Sequence, residues 1–166
     1  GRLAAAWRSR YRPAMDTIRS GERPWCNFDD LHRGTLTEVL TELDIELAPE
    51  HRERLVAGWH RLDPWEDTAA GLARLRTRFI IGTLSNGHMR MLVDLTRHGG
   101  LGFDVILSAE LAGTYKPDPN TYQTAARLLE LPPDEVMLVA CHPYDLDGAA
   151  AAGLRTGFVS RPAEWG

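Results

Sequence analysis

Three strand-like apolar runs of the sequence each end in a cluster of polar side chains that could bind or react with a ligand. The runs are 79–84, 105–107 and 136–140, and the polar clusters that follow them are 85–87, 115–119 and 141–145. The first cluster reads Ser-Asn-Gly, the second contains Lys116 and the third contains Asp145. Open α/β folds place their ligand sites at the carboxyl ends of the strands. The three clusters therefore predict one active site.

The composition is that of a folded domain without a nucleic-acid or membrane surface. The 166 residues are 43% hydrophobic and 25% charged, which suits one domain, or one domain with a small insertion. A formal net charge of -4, with acids and bases interspersed, offers no large basic surface, so no nucleic-acid partner is expected. The sequence has no apolar run of about 18 residues and no charged-then-apolar leader, so we expect neither a membrane span nor a signal peptide.

The cysteine content does not point to either of two kinds of stabilising site. Cys26 and Cys141 are the two cysteines, too few and too far apart in the sequence for a disulfide framework or a zinc site. We therefore predict no metal site and expect a reducing, cytoplasmic location.

The first 63 residues have a helical period throughout. Helices are predicted at 3–18, 28–43 and 49–62. The second helix presents one apolar stripe, made of Leu31, Thr35, Leu36, Val39, Leu40 and Leu43. The sequence therefore predicts a helical subdomain over 1–63.

From residue 64 onward the sequence alternates between helix and strand. Strands are predicted at 79–84, 103–107, 135–140 and 155–159, separated by helices of about 10 residues. Such alternation is typical of βαβ units, which form a parallel sheet. The sequence therefore predicts an α/β core over 64–166.

The motifs, taken in order, resemble the haloacid dehalogenase-like hydrolases, and within them the 2-haloacid dehalogenases that act on L-enantiomers. The matching segments are Trp7-Arg8, 62–65, 84–87, 115–118, Tyr122, 140–145 and Gly148-Ala149. The resemblance implies a Rossmann-like parallel sheet core with an inserted helical cap subdomain. It also implies cofactor-free, metal-independent hydrolysis of short 2-haloacids to 2-hydroxy acids, in a protein that could form a homodimer.

One part of the family pattern lies outside these 166 residues. Family members begin with a strand that ends in an Asp-x-Phe/Tyr-Gly-Thr run, whose aspartate is the nucleophile, whereas this sequence opens at Gly1 inside the first cap helix. In the family that strand lies in the middle of the sheet, and its loss would leave buried backbone groups unpaired. We therefore expect an amino-terminal segment to supply the aspartate, and we expect the 166 residues alone to be inactive.

Three residues are candidates to bind the anions of such a reaction. Lys116, on a Lys-Pro-Asp-Pro turn, could hold the nucleophile and stabilise negative charge, or it could be a solvated loop lysine. By resemblance Ser85 binds the substrate acid or the nucleophile, but a helix N-cap serine would look the same. By resemblance Arg8 meets the leaving halide, although composition alone describes a surface arginine beside Arg10 and Arg12.

The remaining polar candidates carry open alternatives. Asp145 is the candidate second-shell or water-activating acid, or a helix cap, and His142 could orient the water or the ester, or be a buried neutral histidine. The amide hydrogens of Asn86 could receive the halide, or Asn86 could form a turn. The hydroxyl of Tyr122 could reach the Lys116 ammonium, or its ring could be core packing.

Three aromatic residues could line an apolar pocket around the halogen-bearing carbon, or could belong to the core; they are Tyr144, Trp25 and Phe28.

The third polar cluster also discriminates against phosphoryl transfer, the commoner activity of this superfamily. Phosphatase members carry Gly-Asp-x-x-x-Asp after this strand and hold magnesium there, whereas this sequence has Ala140-Cys141 followed by Asp145. A thiol is a poor magnesium ligand, so Cys141 favours metal-independent dehalogenation. A buried, inert cysteine is the preferred interpretation of Cys141. The alternatives are a phosphatase-like member and a catalytically inactive interaction or dimerisation module.

Overall fold

The computed structural model describes residues 1–165 and contains both helices and parallel strands. The helices are α1 (Arg2–Arg19), α2 (Phe28–Glu42), α3 (Pro49–Gly58), α4 (Thr68–Arg76), α5 (Met89–His98), α6 (Pro119–Leu128) and α7 (Pro143–Ala151). The strands are β1 (Gly82–Ser85), β2 (Val105–Ser108), β3 (Met137–Ala140) and β4 (Arg155–Phe158). Short 3₁₀ turns lie at Trp59–Arg61, Ala109–Ala112, Pro133–Glu135 and Pro162–Trp165.

The helix starts follow local sequence chemistry. The Asn27 side chain caps α2 by accepting a hydrogen bond from the backbone N–H of Asp30 at 3.0 Å. Asp118 caps α6 in the same way, with Pro119 as the first helical residue, and Pro49 opens α3. These caps explain why the predicted helices begin where they do.

The apolar stripe predicted for the second helix is confirmed, since all but one of its members are buried; the buried ones are Leu31, Thr35, Leu36, Val39 and Leu40. Leu36 and Leu40 pack with Trp7 of α1 and Val56 of α3 in one apolar cluster. Burial of this stripe therefore joins the first three helices.

The strands form two parallel pairs that match the predicted α/β class. In the first pair Gly82 lies opposite Val105 and Ser85 opposite Ser108, and in the second Met137 lies opposite Arg155. Within residues 1–165 the two pairs share no ladder and form separate two-stranded sheets, as expected if the central strand of the family lies outside these residues.

The first predicted strand, 79–84, is shifted in the structure. It begins at Gly82, where the β1–β2 ladder starts. Phe79 and Ile80 precede the ladder, and their side chains are 60% and 71% exposed. The side chain of Asp104 fixes the start of pairing by accepting a hydrogen bond from the Ile81 N–H at 2.9 Å. A run of β-branched and aromatic residues predicts strand, but the ladder decides where the strand begins.

An apolar cluster joins the first three helices to the α/β part; it contains Met15, Ile18, Phe28, Leu31, Met91, Ala109 and Tyr115. The Tyr115 hydroxyl donates to the Cys26 carbonyl at 2.8 Å across the same boundary. The division into a cap at 1–63 and a core from 64 onward stays a prediction. Across residues 1–165, no helix has the length and apolar character needed to cross a membrane.

Candidate active site

Lys116 lies at the centre of the predicted site and connects the two strand pairs. Its Nζ donates to the carbonyl of Leu84 at 2.9 Å, near the end of β1, and lies 2.5 Å from Asp145 Oδ2 on α7, which follows β3. The side chains of Lys116 and Asp145 are 11% and 5% exposed. The sequence contains one lysine, Lys116, among 18 arginines. A small, rotatable ammonium is therefore placed between the end of β1 and the start of α7, in a chain that otherwise uses arginine as its cation.

Both carboxylate oxygens of Asp145 have a donor. Oδ2 pairs with Lys116, and Oδ1 accepts from the Tyr122 hydroxyl at 2.7 Å. Asp145 lies in the first turn of α7, whose N-cap is His142, so helix capping does not account for its position. Because neither oxygen lacks a donor, Asp145 is arranged to orient Lys116, and a metal ion would have to displace one of these donors.

Tyr122 contacts Asp145, whereas the sequence suggested a contact with the Lys116 ammonium. The side chain is fully buried. Burial and the hydrogen bond to Asp145 raise the pKa of Tyr122 above its ordinary value, so the hydroxyl stays protonated and donates. Tyr122 and Lys116 therefore meet at the same carboxylate through different oxygens.

Gly148 allows α7 to approach this group closely. A Cβ at this position would lie 2.6 Å from the Pro117 Cβ and 2.9 Å from the Tyr122 hydroxyl oxygen. Only glycine fits between α7 and the Lys116 loop without displacing one of them.

The turn after β1 is held by its own hydrogen bonds. Ser85 Oγ accepts from the Gly87 N–H at 3.1 Å, and Asn86 Oδ1 accepts from the Lys116 backbone N–H at 2.7 Å. The N-cap of α5 is His88, so capping does not account for Ser85. The Asn86 amide nitrogen lies 3.3 Å from Met15 Sδ on α1, which is a weak acceptor. The turn therefore has two side-chain acceptors that already hold backbone N–H groups, and one donor, the Asn86 amide, that could turn to a better acceptor than Met15.

Arg8 and His142 meet at Glu164, near the end of the chain. Arg8 Nη2 lies 3.2 Å from the Glu164 carbonyl and 3.3 Å from its Oε1, and His142 Nε2 lies 3.4 Å from the same Oε1. Glu164 was not among the predicted site residues, because it belongs to no recognisable motif. The Glu164 carboxylate therefore contacts both Arg8, which was predicted to bind the halide, and His142, which was predicted to orient the water or the ester.

The predicted pocket aromatics lie in three different environments. Tyr144 is partly buried under Arg12, whose guanidinium lies 4.5 Å from the ring centroid, and burial is the main cause that raises the Tyr144 pKa to about 12. Phe28 is 7% exposed within the core cluster that joins α1 and α2 to α5. Trp25 lies between α1 and α2 and is 37% exposed. Of the three, only Tyr144 lies on the helix that carries Asp145.

Cys141 lies beside the site as a free thiol. Its Sγ is 3.7 Å from the His142 ring, and burial followed by the negative charge of Glu164 raises its pKa. A protonated thiol is a weak nucleophile, which favours the interpretation of Cys141 as inert.

One cluster of titratable side chains was missed by the sequence predictions. Asp29, His60, His88 and Asp94 lie close together, although they come from α2, a 3₁₀ turn, the N-cap of α5 and α5 itself. Their spacing in the sequence matches no ligand motif, so only the fold brings them together.

Comparisons with known proteins relate most of the chain to one enzyme family. A family model described as haloacid dehalogenase-like hydrolase matches residues 4–153. The chain is 32% identical over 162 residues to (S)-2-haloacid dehalogenase 4A of Burkholderia cepacia, an alignment that covers 96% of this chain and 70% of that protein.

Two solved structures extend the likeness to the fold. The crystal structure of the L-2-haloacid dehalogenase PA0810 matches with a TM-score of 0.96 at 47% identity, over 99% of this chain and 73% of that one. The L-2-haloacid dehalogenase from Xanthobacter autotrophicus, solved with chloropropionic acid covalently bound, matches with a TM-score of 0.87 at 27% identity, over 98% of this chain and 66% of that one.

Proposed function

The chain belongs to the haloacid dehalogenase-like hydrolases, and we propose that it forms most of a 2-haloacid dehalogenase that converts short 2-haloacids to 2-hydroxy acids. The observation that carries this proposal is the buried Lys116–Asp145 pair at the carboxyl ends of β1 and β3. A cation fixed by a carboxylate, with serine and asparagine side chains on the neighbouring turn, suits a reaction in which two anions must meet.

We propose that the nucleophile is a carboxylate on a strand outside these 166 residues, lying between β1 and β3. Lys116 supports this position because its Nζ touches both the end of β1 and α7 after β3, while the two strand pairs share no ladder within residues 1–165. Met137 and Val139 of β3 are 56% and 59% exposed, as expected of strand side chains that further chain would cover.

The chemistry follows from these groups. The carboxylate attacks the carbon that bears the halogen, the carbon–halogen bond breaks with its electron pair leaving on the halide, and an ester forms. Water then attacks the ester carbonyl and releases the hydroxy acid, which regenerates the carboxylate. The covalently bound chloropropionic acid in the Xanthobacter relative supports a covalent step of this kind.

Each predicted residue has a place in this scheme. Lys116, oriented by Asp145 and Tyr122, stabilises the negative charge of the nucleophile and of the ester intermediate. Ser85 binds the substrate carboxylate, and Asn86 offers its amide hydrogens to the halide once they leave Met15.

The group formed by Arg8, His142 and Glu164 contributes to the handling of halide and water. Arg8 gives up its contact with Glu164 and then binds the departing halide. His142 orients the water or the ester. Tyr144, Trp25 and Phe28 stay predicted as pocket walls. A homodimer and a cytoplasmic location also stay predictions.

The reaction class can be tested with the full-length protein, including any residues that precede Gly1 in its gene. Chloride release from 2-chloropropionate, with and without a chelator, is compared with phosphate release from p-nitrophenyl phosphate in the presence of magnesium. Chelator-insensitive chloride release supports the dehalogenase. Magnesium-dependent phosphate release without chloride release would identify the phosphatase-like alternative, and loss of both activities would favour the non-catalytic module.

A further inference from the structure

A second cluster of histidine and aspartate side chains lies where α2, the 3₁₀ turn Trp59–Arg61 and α5 meet. His60 is held at both ring nitrogens: Nδ1 lies 2.8 Å from Asp94 Oδ2, and Nε2 lies 3.0 Å from Asp29 Oδ1. His88 Nε2 lies 3.8 Å from the other oxygen of Asp29. The cluster shares no residue with the Lys116–Asp145 site.

Two buried histidines at this place have ring nitrogens without partners in the described part of the chain. His88 is 8% exposed and its Nδ1 has no hydrogen-bond partner, and as the N-cap of α5 its side chain makes no capping hydrogen bond. His32 is 1% exposed, both of its ring nitrogens lack a partner, and its ring stacks on Trp59 at 4.4 Å. Buried polar atoms are normally satisfied, and the lack of a partner at His88 Nδ1 means that no hydrogen bond at that atom opposes a rotation of this ring.

We propose that Asp29, His60 and His88 form a binding site for one divalent transition-metal ion of the Zn²⁺ class. One ligand atom from each residue lies within 4.8 Å of the other two. Two ligands at about 2.1 Å from a tetrahedral ion are about 3.4 Å apart. Asp29 Oδ2 lies 3.1 Å from His60 Nε2 and 3.8 Å from His88 Nε2, on either side of that spacing, so small side-chain rotations bring the three atoms into coordination range.

Asp94 prepares His60 for this role. A ligating histidine usually donates its other N–H to a carboxylate, which fixes the tautomer and orients the ring. Asp94 Oδ2 accepts from His60 Nδ1 at 2.8 Å, and Arg90 Nε holds both oxygens of Asp94 at 3.0 and 2.9 Å. Nε2 of His60 therefore faces Asp29, where the ion would replace a proton that is released to solvent.

The donor set selects the chemical class of the ion. Two imidazole nitrogens and one carboxylate suit Zn²⁺, Ni²⁺ or Co²⁺, whereas Mg²⁺ and Ca²⁺ prefer oxygen ligands throughout. Three protein ligands leave at least one coordination position for water. The neighbouring His32 adds no competing charge, because burial is the main cause that lowers its pKa to about 4.

The position of the site gives the ion a structural consequence. Asp29 belongs to α2 and His60 to the 3₁₀ turn after α3, while His88 begins α5 of the α/β part. A bound ion would therefore link the first helices to the α/β part at a place separate from the catalytic lysine.

The test uses the full-length protein, stripped of metal with a chelator that is then removed, at mildly alkaline pH where imidazole is neutral. Isothermal titration calorimetry with Zn²⁺ should give one equivalent per chain. Asp94→Asn should weaken the affinity by about 10 to 100-fold, as loss of a carboxylate that orients a ligating histidine does. His88→Ala should weaken the affinity for Zn²⁺ at least as much. Because the His88 side chain makes no short hydrogen bond within residues 1–165, its removal tests metal binding with little other disturbance.

Two matched variants decide where the ion binds. His98→Ala removes an exposed histidine of α5 that pairs with Asp63, and Cys141→Ala removes a ligand from the alternative group formed by Cys141, His142 and Glu164. Both should bind Zn²⁺ as the parent protein does. Co²⁺ absorption typical of nitrogen and oxygen ligands without a thiolate band would support the site. No binding, unchanged affinity in His88→Ala, or loss of binding in Cys141→Ala would overturn it.

Discussion

The ammonium of Lys116 and the carboxylate of Asp145 form a buried ion pair, 2.5 Å apart, that joins the loop after β2 to α7. Asp145 comes from the segment after the second strand pair, while the Leu84 carbonyl that also binds Lys116 comes from the first. The pair is therefore both a structural link and the centre of the proposed reaction, and the predictions below separate these two roles.

Asp145→Asn should destabilise the full-length protein by about 3 kcal/mol, because removing one member of a buried pair leaves the other charge uncompensated. Urea unfolding with and without the substitution measures the change. Asp147→Asn, on the exposed face of the same helix, is the matched control and should change the free energy of unfolding by less than about 0.5 kcal/mol. Equal effects of the two substitutions would exclude the ion pair as a stabilising link.

Tyr122→Phe should lower kcat for halide release more than it changes KM, because it removes the donor that holds Asp145 Oδ1 and so loosens the orientation of Lys116. The lost hydrogen bond should also cost about 1 kcal/mol of stability. Steady-state kinetics and urea unfolding measure the two effects, with Tyr11→Phe on α1 as the control. A Tyr122→Phe variant with parental kcat would show that this hydroxyl serves packing alone.

Gly148→Ala should destabilise the protein by about 1–3 kcal/mol, since the added methyl would overlap Pro117 and the Tyr122 hydroxyl. Gly34→Ala is the matched control, because Gly34 is also inside a helix but a Cβ there meets nothing within 4 Å. That control should be neutral or stabilising by up to about 1 kcal/mol. If both variants unfold at the same urea concentration, α7 and the Lys116 loop are not in the close contact described above.

Cys141→Ser should leave halide release close to the parental rate, since Cys141 has no part in the proposed chemistry. Burial and Glu164 raise the pKa of the Cys141 thiol, so its alkylation by iodoacetamide should be slow at neutral pH and accelerate as the pH rises toward that pKa. The rate is measured in a Cys26→Ser background, because the pKa of Cys26 is raised as well. Rapid alkylation at neutral pH, together with loss of activity, would assign the thiol a catalytic role.

The sequence predicted those features whose signal is local or periodic. The buried stripe on α2 could be predicted because residues on one helix face recur every three to four positions. The three polar clusters could be assigned to one site because parallel strands end at the same edge of a sheet. The contact between Tyr122 and Asp145 could not be predicted from the sequence, since it depends on how closely α7 approaches Tyr122 at Gly148.

Two features had no usable signal in the sequence. The strand at 79–84 begins three residues later than predicted, because pairing with β2, and not residue type, sets its start. The cluster around His60 is assembled from separate elements at spacings that match no ligand motif, so tertiary structure alone reveals it.

The most direct test of the proposed site is chloride release from 2-chloropropionate by full-length Lys116→Met protein. Lys116 is the only lysine among these 166 residues, and Arg127→Met on the exposed face of α6 is the control for loss of a cation. Removing a preorganised charge stabiliser should lower the rate of halide release by about 10²-fold or more, while the Arg127 variant keeps the parental rate. Chloride release at the parental rate by folded Lys116→Met protein would contradict the assignment of this lysine to the reaction.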